Sequence, residues 1–148
     1  MVTNSEVVKE LKKILADSYT LYLKTQNYHW NVTGHQFGQL HTMFENQYSD
    51  LADAVDEIAE RIRALNSPAP GSFQEFNNLK TLNEASPLIN ADQMVSDLSK
   101  DNKDIASMMK EAVVIAQRAH DEATADLLVE RIRTHEKNAW MLDSSLPN

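Results

Sequence analysis

Cysteine is absent from this chain of 148 residues, which excludes disulfides, thiolate metal sites and a cysteine nucleophile. Glycine and proline are scarce, at three and four residues, and β-branched runs are few. With so little turn chemistry and so much Ala, Leu, Glu, Asp and Lys, a nearly all-helical protein is predicted. No apolar stretch is long enough to span a bilayer, and residues 1–10 hold no apolar signal core. A cytoplasmic address without membrane contact is expected. Basic residues are the minority, 14 against 22 acidic, for a formal charge of −8. That average field disfavours nucleic acid and favours cations or basic partners. The length suits one domain over residues 1–148 with a sizeable core.

Apolar spacing predicts four long helices. The first has its N-cap at Asn4 or Ser5 and reaches about Asn31, with Val8, Leu11, Leu15, Tyr19, Tyr22 and Leu23 at helical spacing. Asn31-Val-Thr-Gly34 breaks it. The second runs from about Gln36 to Leu65, where Asn66-Ser-Pro68-Ala-Pro70-Gly71 stops it. Residues 66–90 form a long connection. Within it, Ser72-Phe-Gln-Glu75 has the capping-box form that starts a short helix to about Leu79. The third helix begins after Asn90, with Gln93 placed for a box, and carries Met94, Leu98, Ile105, Met108, Met109 and Val113. His120-Asp121-Glu122 interrupts it, and the fourth runs from about Glu122 to Leu142. Two helical hairpins joined by one long crossover is the connectivity of a ferritin-like four-helix bundle. The expected fold is therefore all-α, with a short extra helix in the crossover between helices two and three.

The second helix carries the chemistry. His41 and Glu45 are spaced i, i+4, as are Asp56 and Glu60, so each pair puts two metal-capable side chains on one face. The pairs lie fifteen residues apart, about 22 Å along a helix, too far to close on one metal within one copy. All four still fall within an arc of roughly 100°. A second copy laid antiparallel across that face, with a two-fold axis between Asp50 and Leu51, brings His41 and Glu45 of one chain against Asp56 and Glu60 of the other. Ala52 and Ala59 share the stripe and permit close approach of the backbones. His29, ending the preceding helix, is a fifth candidate. Imidazoles mixed with carboxylates suit a first-row divalent metal, iron especially, although the set does not by itself choose iron over zinc or manganese. Asp50, Asp53 and Glu57 read as a solvated face, and His35, His120 and His135 as structural or surface residues. No histidine has a Glu three residues before it, so a di-iron centre inside one bundle is not expected.

The chain resembles the Dps family of mini-ferritins, the DNA-binding proteins from starved cells. The carrying residues are Tyr28-His29-Trp30-Asn31-Val-Thr-Gly34, then Phe37, Leu40-His41 and Glu45, then Asp56-Glu-Ile-Ala59-Glu60-Arg61. Thr124-Ala-Asp126-Leu-Leu and the stretch from Lys137 to Trp140 continue the similarity, which covers essentially the whole chain. The resemblance assigns His29, His41 and Glu45 to one subunit and Asp56 and Glu60 to its partner. Glu45 departs from the family, which usually has Asp there. Trp30 looks like the family tryptophan beside the site.

The resemblance implies ferroxidase activity: Fe²⁺ oxidised at inter-subunit di-iron sites, hydrogen peroxide preferred, and ferric iron stored in a twelve-subunit cage, protecting against oxidative damage. Glu60 is the candidate bridging ligand. Imidazoles bind metal only when neutral, so acid should lower loading. Asp121, Glu122, Asp126 and Glu130 lie where the family has acidic iron-entry pores, although acidic residues at a helix start also have an ordinary dipole explanation. Two rival functions are a nucleoid-compacting DNA-binding protein with secondary iron chemistry, and a different dinuclear-metal enzyme or zinc-binding helical protein. DNA binding is expected to be weak or absent, because Met1-Val-Thr and the stretch from Asp143 to Asn148 carry no lysine.

Overall fold

The computed structural model describes residues 2–147. Its elements are α1 (Asn4–Asn31), α2 (Phe37–Ala64), α3 (Phe73–Leu79), α4 (Ala91–Arg118) and α5 (Glu122–Ser144), with no strand among the described residues. Helices α1 and α2 form one hairpin and α4 and α5 the other, while α1 packs on α4 to join them. The short α3 lies in the crossover against α1. This is the all-α, ferritin-like bundle that the connectivity predicts.

The helix ends follow their capping chemistry. Asn90 and Gln93 form the predicted reciprocal box, at 2.9 and 2.8 Å. Ser72 accepts from the Glu75 amide to start α3. The cap of α1 is Thr3 rather than Asn4 or Ser5, because Glu6 reaches back to the Thr3 amide at 2.8 Å. Helix α4 ends in a left-handed residue, His120 at φ 58°, which lets the Asp121 amide close on the Ala116 carbonyl at 2.9 Å.

Between the helices, Leu11, Ile14, Phe44, Leu51, Ile58, Leu98, Ile105 and Leu128 are fully buried in one cluster. Each such side chain contributes about 1.5–3 kcal/mol. The crossover adds Leu82 to this cluster and is fastened by polar groups as well. Buried Asp17 accepts from the Thr81 amide and hydroxyl, both at 2.7 Å, and from the Leu82 amide at 3.0 Å. Lys24, also buried, donates to the Asn83 carbonyl at 3.0 Å and pairs with Asp97 and Asp101 at 3.1 and 2.7 Å. The Tyr28 hydroxyl donates to Asp97 at 2.6 Å and accepts from the Ser86 amide. Burial, with Asp97 beside it, pushes the Tyr28 phenol well above its ordinary range. Burial likewise raises Asp101, partly offset by Lys24. With the crossover bound to α1 and α4, the stripe of α2 that carries Glu45, Asp56 and Glu60 stays exposed.

Candidate metal centre

The turn between α1 and α2 sets the site. Gly34, at φ 109°, takes a backbone conformation that favours glycine, and its carbonyl accepts from the Phe37 amide to start α2. The chain reverses, and the last turn of α1 faces the first turns of α2. His29 and His41 meet there. Their rings stack at a centroid distance of 3.7 Å and an interplanar angle of 14°.

Each ring is tied to the other residue's backbone. His29 Nδ1 lies 2.7 Å from the His41 carbonyl, and His41 Nδ1 lies 2.8 Å from the His29 carbonyl. A carbonyl only accepts, so both Nδ1 atoms carry the proton, and in the neutral rings both Nε2 lone pairs are left for another acceptor of electrons. The His29 carbonyl belongs to the last turn of α1 and has no helical partner, so His41 also caps the helix. Tyr48 packs edge-on against His29 at 5.2 Å, and Phe37 stacks on His41 at 5.0 Å. His29 is buried and His41 half-buried. Orientation of this kind, by a hydrogen bond from the far ring nitrogen, accompanies most metal-binding histidines.

The carboxylates stand on the same helix. Glu45, Asp56 and Glu60 are exposed, as is Ala52, while Ala59 is half-buried. Asp56, through a hydrogen bond and its charge, pushes the Glu60 carboxyl above its ordinary range. Two acids crowded in this way gain when a cation joins them. Among the described residues of one chain, no three His, Asp or Glu side chains come together as a metal-holding group. The histidine end and the Asp56–Glu60 end are separate.

Other sequence candidates divide. Trp30 is 59% exposed beside His29. Glu122, Asp126 and Glu130 are exposed on α5. Asp121 is committed within the chain: it accepts from the Thr124 amide at 3.0 Å and from Arg61 at 2.9 Å. Burial pulls its carboxyl up, but the Thr124 bonds and the Arg61 guanidinium together hold it below the usual range. Asp50 is not a freely solvated residue, since Arg131 of α5 pairs with it at 2.8 Å. His135 is fully buried, donating from Nδ1 to Asn102 at 2.8 Å and facing Arg131 across 3.2 Å at Nε2. Nothing in the local sequence marks the pairings of Arg61 with Asp121, Arg131 with Asp50 and Asn102 with His135, because those partners come from different helices.

Fold and site together define a class, the ferritin-like proteins, and the family described as Ferritin-like domain matches residues 8–148. The Bacillus anthracis protein named DNA protection during starvation protein 2 is 38% identical over 97% of this chain and 98% of its own. Dps from Staphylococcus aureus superposes with a TM-score of 0.97 at 34% identity, covering 100% of this chain and 99% of that one. Dps from Vibrio cholerae, described as a member of a broad superfamily of ferritin-like diiron-carboxylate proteins, gives a TM-score of 0.91 at 29% identity over 97% and 96%. The chain belongs to the Dps family of ferritin-like proteins.

Proposed function

We propose that this protein is a mini-ferritin and ferroxidase that takes Fe²⁺ as substrate, oxidises it with hydrogen peroxide in preference to oxygen, and stores the ferric product inside a hollow assembly of twelve chains. The observation that carries the reading is the crossed pair of Nδ1–H to carbonyl bonds between His29 and His41, which leaves both Nε2 atoms free at one end of an exposed carboxylate stripe. His29, His41 and Glu45 of one chain and Asp56 and Glu60 of its partner are the proposed ligands, with Glu60 shared between two irons. Imidazole retains affinity for the ferrous ion, while the hard carboxylates favour the ferric state and so promote oxidation. Peroxide accepts two electrons, one from each iron, so no hydroxyl radical need leave the site.

The separation of the two ligand groups within a chain supports a site shared by two copies, and the small side chains Ala52 and Ala59 suit the close approach this needs. Glu122, Asp126 and Glu130 are the proposed cation entry, with Asp121 fixing the start of α5 behind them. The Vibrio cholerae neighbour's description as a diiron-carboxylate superfamily member favours iron over zinc as the working metal. Compaction of DNA is the less favoured role, because phosphate contact releases counterions only where basic side chains gather, and this chain carries −8. A cytoplasmic address fits the described helices, none of which is long and apolar enough to cross a membrane. Anaerobic titration with Fe²⁺, followed by peroxide, tests the function: ferric absorbance should rise promptly with two irons consumed per peroxide. A protein that neither binds Fe²⁺ nor speeds its oxidation contradicts it.

A further inference from the structure

A cleft of about 590 Å³ lies where the start of α1 meets the end of α2 and the last turn of α3. Lys9, Lys12 and Lys13 line it, spaced i, i+3, i+4 on one face of α1, and no carboxylate does among the described residues. That is unusual on a chain of net charge −8. Lys13 shares its charge with Glu10 at 3.6 Å, whereas Lys9 and Lys12 form no ion pair among the described residues. Under the lysines the floor is aliphatic: Val8 is buried, and Leu65 and Leu79 are half-buried. The Leu65 carbonyl, at the negative end of α2, is taken by the Asn4 side-chain amide at 3.2 Å, which covers an acceptor that would repel an anion.

A second cleft, of about 360 Å³, adjoins the first by sharing Lys12 and Leu79, and it runs over Pro68, Ala69 and Pro70. Its carboxylate, Glu75, is held at the start of α3, accepting from the Ser72 hydroxyl at 2.9 Å. The two clefts make one groove with a cationic head and an apolar tail.

We propose that this groove binds an aliphatic monocarboxylate, a free fatty acid by chemical class. The carboxylate sits between the Lys9 and Lys12 ammonium groups, and the chain lies on Val8, Leu65 and Leu79 toward Ala69. The lysine stems add apolar cover while their charged ends meet the head group. A mostly apolar lining with a few placed charges, in a space of roughly 300–1,000 Å³, is the ordinary make-up of a small-molecule site. A nucleotide suits the groove less well, because no lining residue is aromatic and none can stack a base. Inorganic phosphate would meet the lysines but leave the aliphatic floor in water.

Isothermal titration of the assembled protein with decanoate, at low salt and below its micelle-forming concentration, tests the proposal. Binding should saturate at one decanoate per chain and weaken as salt is added. Octanoate, two methylenes shorter, should bind at least about threefold more weakly. Decanol, which keeps the chain but lacks the charge, should bind at least about tenfold more weakly. The double variant Lys9→Met/Lys12→Met keeps the stems and removes the charges, so it should lose at least about tenfold in decanoate affinity and leave decanol unchanged. Decanoate that fails to saturate, or that binds the double variant as it binds wild type, overturns the proposal. Inorganic phosphate or AMP binding as tightly as decanoate overturns it too, by showing that the apolar floor takes no part.

Discussion

His29 and His41 hold each other: each donates its Nδ1 proton to the other's backbone carbonyl, at 2.7 and 2.8 Å, with the rings stacked between. The arrangement makes the two imidazoles one unit, in which the loss of either ring frees the other. His41→Ala should therefore slow peroxide-dependent iron oxidation by at least about tenfold, the scale at which groups that merely orient a metal ligand are missed. Glu60→Ala should do the same by removing the carboxylate proposed to be shared between the two irons. Both variants should keep their helical circular dichroism, since neither residue belongs to the apolar core. Stopped-flow ferric absorbance checks this, and wild-type rates in both variants count against the ligand assignment.

Acid should weaken the fold through His135. Burial, together with the neighbouring Arg131 charge, lowers its pKa to about 3. In the unfolded chain it is an ordinary histidine near pH 6.5. Because the folded value is the lower one, the unfolded chain binds the proton first, and stability is full above about pH 6.5 and falls as the pH drops toward 3. Between pH 7 and 5 the single group costs about 2 kcal/mol per chain. His135→Gln should flatten that part of the profile relative to wild type. Denaturant melts at the two pH values measure the difference, and parallel profiles contradict it.

The crossover should depend on one buried carboxylate. Asp17→Ala leaves the Thr81 and Leu82 amides and the Thr81 hydroxyl without their acceptor. Stranding donors in the interior costs about 1–3 kcal/mol apiece, so destabilisation of roughly 3 kcal/mol is expected after partial rescue by water. Hydrogen exchange should show faster exchange across residues 80–86 than in α4. Unchanged protection there contradicts the role given to Asp17.

The helices and their order are legible because apolar spacing, Asn90–Gln93, Ser72–Glu75 and the Asn66–Gly71 stop are all local signals. The i, i+4 pairs proposed as ligands can be picked out for the same reason: both members lie on one turn. Asp17 and Lys24 are not, since on a helix they look like solvated charges and their partners lie 64 and 59 residues away. Asp50 and His135 are hidden in the same way, their roles being fixed by Arg131 and Asn102 on other helices. The locked tautomers of His29 and His41 required the turn at Gly34 to be seen in three dimensions, because residue order alone does not give the approach of a ring to a carbonyl.

DNA should bind weakly near neutral pH. Lysines 9, 12 and 13 make the one basic patch on α1, and Glu10 stands 3.6 Å from Lys13 within it. Against −8 per chain, such a patch neutralises few phosphates. A gel-shift titration at low salt without divalent ions should show no tight complex; firm, salt-sensitive retention of duplex DNA contradicts this.

Assembly of the site from two chains is the central claim, and complementation tests it most directly. One chain carries His41→Ala with Glu45→Ala, and the other carries Asp56→Ala with Glu60→Ala. Each alone should be inactive. Co-refolded, a mixed dimer holds one site with all its ligands and one lacking all four helix ligands, so iron oxidation should return in proportion to the heterodimer formed. Verified heterodimers that remain as inactive as the parents contradict a shared site and place the centre within a single chain.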